Sequence, residues 1–283
     1  MGKALVIDGL QVTNPLCVVT IDATPADTAL KAYYQANTSI LDAEKTALND
    51  LVNGLIDYEI WDKVKYFYPL IGGNVTDAIL EGISPSTEDL FVAEGTTGLS
   101  IIDRVLNAGE RPLSGTHALP VGSRAKQLDP TKIGFIMAGR AANSSANWGQ
   151  MVRFSSGTSL GFAIETHASN DKYEQLMAGS TNINNTASSV DVLERVAFGN
   201  IKDGMGYVYR GTELRASAEV DLSSYNMVGL QTYGVLTNIS NNVYTNYKYD
   251  FFAIVEGMTN EEWTTKFYPL LYSFLQAIGR RTA

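Results

Sequence analysis

One cysteine and two histidines are all that this 283-residue chain offers of the Cys and His ligands that zinc prefers. Cys17, between Leu16 and Val18, has no second cysteine for a disulfide or a zinc knuckle and reads as a small buried hydrophobe. His117 and His167 are too few for a zinc site without cysteine partners. Basic residues are short as well: 21 Lys and Arg stand against 30 Asp and Glu, a net charge of −9, which argues against a nucleic-acid-binding face. Charge is scarce overall at 18%, yet 10% of residues are aromatic and 15 are Tyr, a balance that excludes a disordered chain. No apolar run approaches the roughly 18 residues of a membrane span. Ala4–Ile7 is halted by Asp8, too early for a signal-peptide core, and Val6 stands where a myristoylation signal needs Ser or Thr. The expectation is a folded protein made in a reducing cytoplasm, with neither nucleic acid nor membrane as partner.

What is present is mostly strand and turn, with helices at the two ends. Residues 1–23 read as an arm of short strands, in which Val6, Asp8, Leu10 and Val12 alternate with Ile7, Gly9 and Gln11 before Asn14-Pro15 turns the chain. Thr24-Pro25-Ala26-Asp27 is a helix start, and a second helix is predicted from about Leu41 to Asp57, since Leu48, Leu51, Val52 and Leu55 recur at helical spacing. Residues 24–60 thus form a helical hairpin. The period then drops to two: Val64, Tyr66, Tyr68 and Leu70 are expected on one face of a strand over 62–70. Residues 83–130 hold four prolines and should be long loops around few strands. Further strands are predicted at 132–141, 149–154, 159–166, 172–178, 192–199, 205–219 and 225–233, with a hairpin turn at Arg210-Gly211. Segment 249–255 is apolar on both faces, as a strand covered on both sides would be, and only the helices are left to cover it. Its pairing with strand 62–70 is expected because each adjoins a helix. A capping box at Thr259 and Glu262 opens the last helix, Gly279 ends it, and Pro269 should kink or break it. The whole reads as a β-sandwich over 61–257 with a C-terminal helix over 258–283 packed on it.

Two patches resemble a known family. Leu51–Leu55 followed by Ile60-Trp61-Asp62-Lys63 and Tyr66–Gly73 is similar to a segment of virion proteins from phages and prophages of gut Bacteroidetes, crAss-like phages among them. The ending Phe252-Ala253-Ile254, Gly257–Glu262, Phe267-Tyr268, Phe274-Leu275-Gln276 and Gly279-Arg280 resembles that family's ending. It also resembles LamG-like (concanavalin A-like) jelly rolls, as does Gly206–Leu214, with Arg210 where Asn is usual. The resemblance covers about a third of the chain and departs at 74–130. It implies a mainly β, LamG-like jelly-roll sandwich on a bacteriophage structural protein: a fibre, tail or head-appendage component of the virion, assembled in the host cytoplasm with other virion proteins. The related fibres are commonly trimeric, so a homotrimer is expected.

Motifs that would carry chemistry are incomplete. Gly157–Gly161 matches G-x-S-x-G, but a strand rather than a helix follows it, so it is not a nucleophile elbow. Jelly-roll glucanases need E-x-D-x-x-E; Ser189, Asp191, Glu194 and Glu219, Asp221, Ser224 each lack one outer carboxylate, and retaining chemistry needs two at about 5–5.5 Å. The chain is therefore expected not to be an enzyme and to have no catalytic residues. No cofactor is expected either; calcium is the one ion with oxygen donors on offer, at Asn184, Asn185 and Asp203, which loop polarity explains equally well. For glycan binding the residues are Asn147, Trp148 and Tyr233. A Trp in the Asn/Ser-rich stretch 143–148 stacks on a sugar while amides bond its hydroxyls, or else it opens a strand and packs inward. The Tyr-rich stretch 233–249 suits a glycan or a subunit interface. The function expected is assembly and display on the particle with host-glycan adhesion. The rivals are a free carbohydrate-binding lectin and a glycan-cleaving appendage.

Overall fold

The computed structural model describes residues 5–7, 10–12, 23–85, 99–108, 128–141, 148–156, 159–167, 174–179, 181–184, 194–222, 231–234 and 247–281. Cys17, His117, Asn147, Asn185 and Asp191 lie outside them. Among the described residues, strands β1 (Leu5–Ile7) and β2 (Leu10–Val12) pair only with each other, Ile7 opposite Leu10. The alternation over 6–12 suggested one strand; Asp8-Gly9, a dipeptide suited to two-residue hairpin loops, falls between the two instead.

The helical hairpin forms as expected. Helices α1 (Pro25–Ala29) and α2 (Lys31–Ala36) follow Thr24, whose hydroxyl accepts from the Asp27 N–H at 3.1 Å. Helix α3 (Asp42–Asp57) starts where the Leu41 N–H donates to Glu44 at 3.0 Å. After it come β3 (Val64–Tyr68), the short α4 (Val75–Ala78) and the tight hairpin β4 (Leu99–Ile102) and β5 (Val105–Ala108). The sandwich strands are β6 (Ile133–Ala141), β7 (Trp148–Ser156), β8 (Ser159–His167), β9 (Glu174–Ala178), β10 (Thr181–Asn184), β11 (Glu194–Lys202), β12 (Met205–Arg210), β13 (Glu213–Glu219), β14 (Gln231–Gly234) and β15 (Tyr247–Glu256). Strand β10 had no sequence signal of its own.

The strands form two antiparallel sheets. One has eight strands in the order β13-β12-β11-β6-β15-β5-β4, with β3 also paired to β15; the other has five, β10-β9-β8-β7-β14. Strand β15 is covered on both sides, as its composition predicted. Tyr249, Phe252 and Ile254 face the smaller sheet together with Phe135, Met137 and Val208. Phe251, Ala253 and Val255 face the helices, against Leu51, Leu55, Leu271 and Phe274. Asp250 is the extra residue of a bulge between Tyr249 and Phe251, and this exchanges the faces of the flanking residues. The expected pairing of the 62–70 and 249–255 segments is present, Phe252 opposite Tyr68 and Ile254 opposite Tyr66. One face assignment needs correction. Lys65 sits at a second bulge, so Val64 joins the helix-side core while Tyr66, Tyr68 and Leu70 stay in the sandwich core.

The last helix is longer than its proline suggested. Helix α5 (Asn260–Glu262) is capped by the Thr259 hydroxyl, which accepts from the Glu262 N–H at 3.0 Å. A π-helical turn over Trp263–Phe267 then leads into α6 (Tyr268–Ala277), which carries Pro269 in its first turn. The wider turn accommodates a residue that cannot donate to the preceding turn, so the helix continues without a break. Gly279, at φ +71°, ends it as predicted.

The two sheets pack closely at Gly206 of β12, where a Cβ would overlap the Ile183 side chain of β10. Ile183 is buried and has little room to move. Gly206→Ala is therefore expected to destabilise the protein by about 1–3 kcal/mol through overpacking. Urea unfolding checks it, and Gly206→Ala with Ile183→Val should recover part of the loss.

Candidate functional site

Two features stand out: a buried ionic cluster that holds the chain together, and the side of the five-stranded sheet turned away from the core. The cluster surrounds Asp250, whose side chain is fully buried. Arg140 donates to both of its oxygens (2.9 and 3.1 Å), and Arg281 donates to Oδ2 at 2.7 Å. Arg280 donates to three carbonyls, those of Asp250 (2.7 Å), Leu70 (2.7 Å) and Arg104 (2.8 Å). Arg104 is in turn held by Glu44 of α3 through Nε at 2.7 Å. Burial pushes the Arg280 guanidinium below its ordinary value, against the stabilising charge of Asp250. These bonds tie α3, β6, β15, the β4–β5 turn and the segment after β3 to the residues that follow the last helix, and give the cluster a structural role.

The second feature is the outer side of the five-stranded sheet. Leu176, Ala178 and Ile183 lie on its core side, while Asn182 on the other side is exposed. Register extends this division to every strand, because residues directly opposite share a face and neighbours along a strand alternate. Leu176 pairs with Ile164 and Ala178 with Phe162, which places those two in the core row. The outer row therefore contains Ala163, Glu165 and His167 of β8 and Gln175 and Met177 of β9. It continues through Asn182 and Asn184 of β10. On β7, Trp148 is opposite His167, Gln150 opposite Glu165, and Arg153 opposite Ala163, a bulge at Met151-Val152 keeping all three on the outer side. Tyr233 of β14 is opposite Arg153 and completes the face.

The structure thus brings Trp148 and Tyr233 onto one surface, on neighbouring strands. Trp148 opens β7, as one of the two readings had it, at the register position opposite His167. Asn184 joins the same face by way of β10. Asp203 does not: it occupies an exposed turn between β11 and β12 at φ +53°. Calcium takes six to eight oxygen ligands, and among the described residues no group of three or more acidic, His or Cys side chains converges. The two incomplete acid motifs remain apart as well. Glu194 opens β11, whereas Glu219 is opposite Met205, which pairs with Lys202 at the other end of β11. At about 3.3 Å per residue, the two acids are on the order of 25 Å apart. Ser159 begins β8 directly after a hairpin from β7, so it is on no strand-to-helix elbow.

Sequence reasoning did not place Gln150, Arg153, Glu165 or Gln175 on this face, and weighed His167 only as a metal ligand. The alternation Phe162-Ala163-Ile164-Glu165 was legible as a half-buried strand. Strand β7 was predicted at 149–154, but its faces were not legible, because the bulge puts Arg153 on the side a regular strand would give to Val152.

Three solved structures overlap part of this fold. The botulinum neurotoxin serotype D/C binding domain overlaps 53% of this chain and 39% of its own at 13% identity and a TM-score of 0.42. The CBM40 of Ruminococcus gnavus IT-sialidase bound to α2,3-sialyllactose overlaps 51% of this chain and 86% of its own, at 8% identity and a TM-score of 0.40. The leech intramolecular trans-sialidase overlaps 59% and 26%, at 12% identity and a TM-score of 0.40. This chain thus spans about two fifths of the toxin domain's length. No protein-family model and no curated protein matches the sequence.

Proposed function

We propose that this is a non-catalytic, lectin-like structural protein of a phage virion, which displays its five-stranded sheet outward to hold a host glycan. The observation that carries the glycan reading is the outer face itself. Two aromatic positions, Trp148 and Tyr233, flank a field of amides from Gln150, Gln175, Asn182 and Asn184. Aromatic faces stack on the apolar side of sugar rings, and amides satisfy hydroxyls with both donors and acceptors. No cofactor enters this reading. The virion reading is supported by the two segments that resemble phage proteins, which are more than half the chain apart in sequence and adjoin as the β3–β15 pair with their flanking helices.

A glycan array with the purified chain tests the first part. Trp148→Ala and Tyr233→Ala should each weaken binding roughly five- to thirtyfold, about 1–2 kcal/mol, without release of reducing ends. An array without a hit, or variants that bind like the parent, would sink it. On a particle such weak sites gain avidity by repetition.

The arm supplies the assembly part. Among the described residues β1 and β2 pair with neither sheet, and a lone two-stranded hairpin is marginal in water. In this reading the arm engages a neighbouring subunit of a trimer or another virion protein. Deleting residues 2–22 should leave a folded protein that is missing from purified particles. A large loss of thermal stability would instead make the arm an intrinsic part of the fold.

A further inference from the structure

One edge of β15 is interrupted, and a side chain closes the interruption. Strand β6 pairs along one edge of β15, so β3 and β5 share the other. There β5 takes residues 247–249 and β3 takes 252–255, which leaves Asp250 and Phe251 with no strand on that side among the described residues. The chain departs from this gap just after β3, at Leu70, and returns to it just before β5, at Arg104. Both residues have left-handed backbones, φ +53° and +61°, a region unfavourable to any residue with a side chain. Arg280 fills the gap. Its Nη1 donates to the Asp250 carbonyl at 2.7 Å, and its Nη2 donates to the carbonyls of Leu70 and Arg104 at 2.7 and 2.8 Å.

We infer that Arg280 is a latch, which stands in for the missing rungs between β3 and β5 and holds both turns in conformations they leave when it withdraws. Its bonds set it apart from Arg140 and Arg281, which meet the Asp250 carboxylate directly. The Arg280 Nε is 3.9 Å from that carboxylate, beyond hydrogen bonding, so its partners are carbonyls. A rigid fork of donors reaches three carbonyls from one side chain, which the compact ammonium of a lysine does not match. The latch has a hinge. Gly279, exposed and at φ +71°, joins it to the last helix, and a Cβ there would meet nothing within 4 Å. It also has a reach: the Arg104 side chain holds Glu44, so the turn that relaxes on undocking is the one that anchors the start of α3. Leu70 and Arg104, far apart in sequence, thus open as one unit. Strands β11 and β12, to which Arg280 makes no bond, keep their pairing.

The test is amide hydrogen exchange on the full chain, followed in peptides spanning 66–74 and 100–107, with 196–209 as the control. Gly279→Ala leaves every bond of the cluster in place but disfavours the docked backbone, and should speed exchange in the first two segments about five- to thirtyfold. Arg280→Ala should speed both by more, and by a common factor. Millimolar guanidinium ion should then slow both again, as a free fork filling the gap, whereas sodium at the same ionic strength should not. Asp103, exposed in the same turn at φ +50°, gives a local check. Asp103→Gly added to Arg280→Ala should slow 100–107 and leave 66–74 fast, because glycine accepts that backbone without the latch. Faster exchange in only one of the two segments, an equal rise over 196–209, or an Arg280→Ala protein indifferent to guanidinium would overturn the latch. Should Arg280→Ala fail to fold, Gly279→Ala decides alone.

Discussion

Replacing Asp250 with Asn is expected to lower the unfolding free energy by about 3–5 kcal/mol, because it leaves Arg140, Arg280 and Arg281 clustered without their carboxylate. For a domain of this size that corresponds to roughly 6–20 °C in Tm. The side chains of Arg280 and Arg281 are 3% and 2% exposed, so water cannot take over the role of the lost anion. The outcome separates two accounts of the cluster. If pairing is what matters, adding Arg281→Met to Asp250→Asn should recover stability, since a buried charge left alone is worse than an apolar side chain of similar size. A midpoint for Asp250→Asn within about 2 °C of the parent would show that the three arginines do not depend on this carboxylate.

Trp263→Ala should cost a similar amount, about 3–5 kcal/mol, for a different reason. Trp263 is fully buried, stacks on Phe198 with ring centroids 4.7 Å apart, and donates from Nε1 to the Gly211 carbonyl at 2.8 Å. It thereby fastens the helix start to the β12–β13 hairpin turn, where Gly211 has a φ of +57°. Trp263→Phe keeps an aromatic ring in that core but loses the N–H, so its cost should be clearly smaller. Urea midpoints of the two variants check this, and a Trp263→Ala protein within about 1 kcal/mol of the parent would refute it.

The legible parts of the fold were those governed by neighbouring residues. Thr24 with Asp27 and Thr259 with Glu262 announced two helix starts that the hydrogen bonds reproduce. The doubly apolar run 249–255 announced a strand between two layers. Errors arose where one extra residue breaks the period: Lys65 moved Val64 to the other core, and Met151-Val152 concealed Arg153 among the outward positions. Long-range polar partners left no local signal at all. Nothing near Arg280 in the sequence names Leu70 or Arg104 as its acceptors. For the site, Trp148 and Tyr233 were visible as isolated aromatics, but only strand register showed that they share a surface and what lies between them.

The arginine cluster also sets an order of events during synthesis. Glu44, Leu70, Arg104, Arg140 and Asp250 all leave the ribosome before Arg280 and Arg281, which hold their segments together. At about 5–20 residues per second, the early helices and strands exist for ten seconds or more before their clamp is made. During that interval β15 is not yet present to separate the two cores, and the apolar face of α3 lacks both β15 and the last helix among its partners. Nascent chains on one messenger would therefore meet each other's unfinished sheets, and the protein's demand for chaperones should peak just before its last helix emerges.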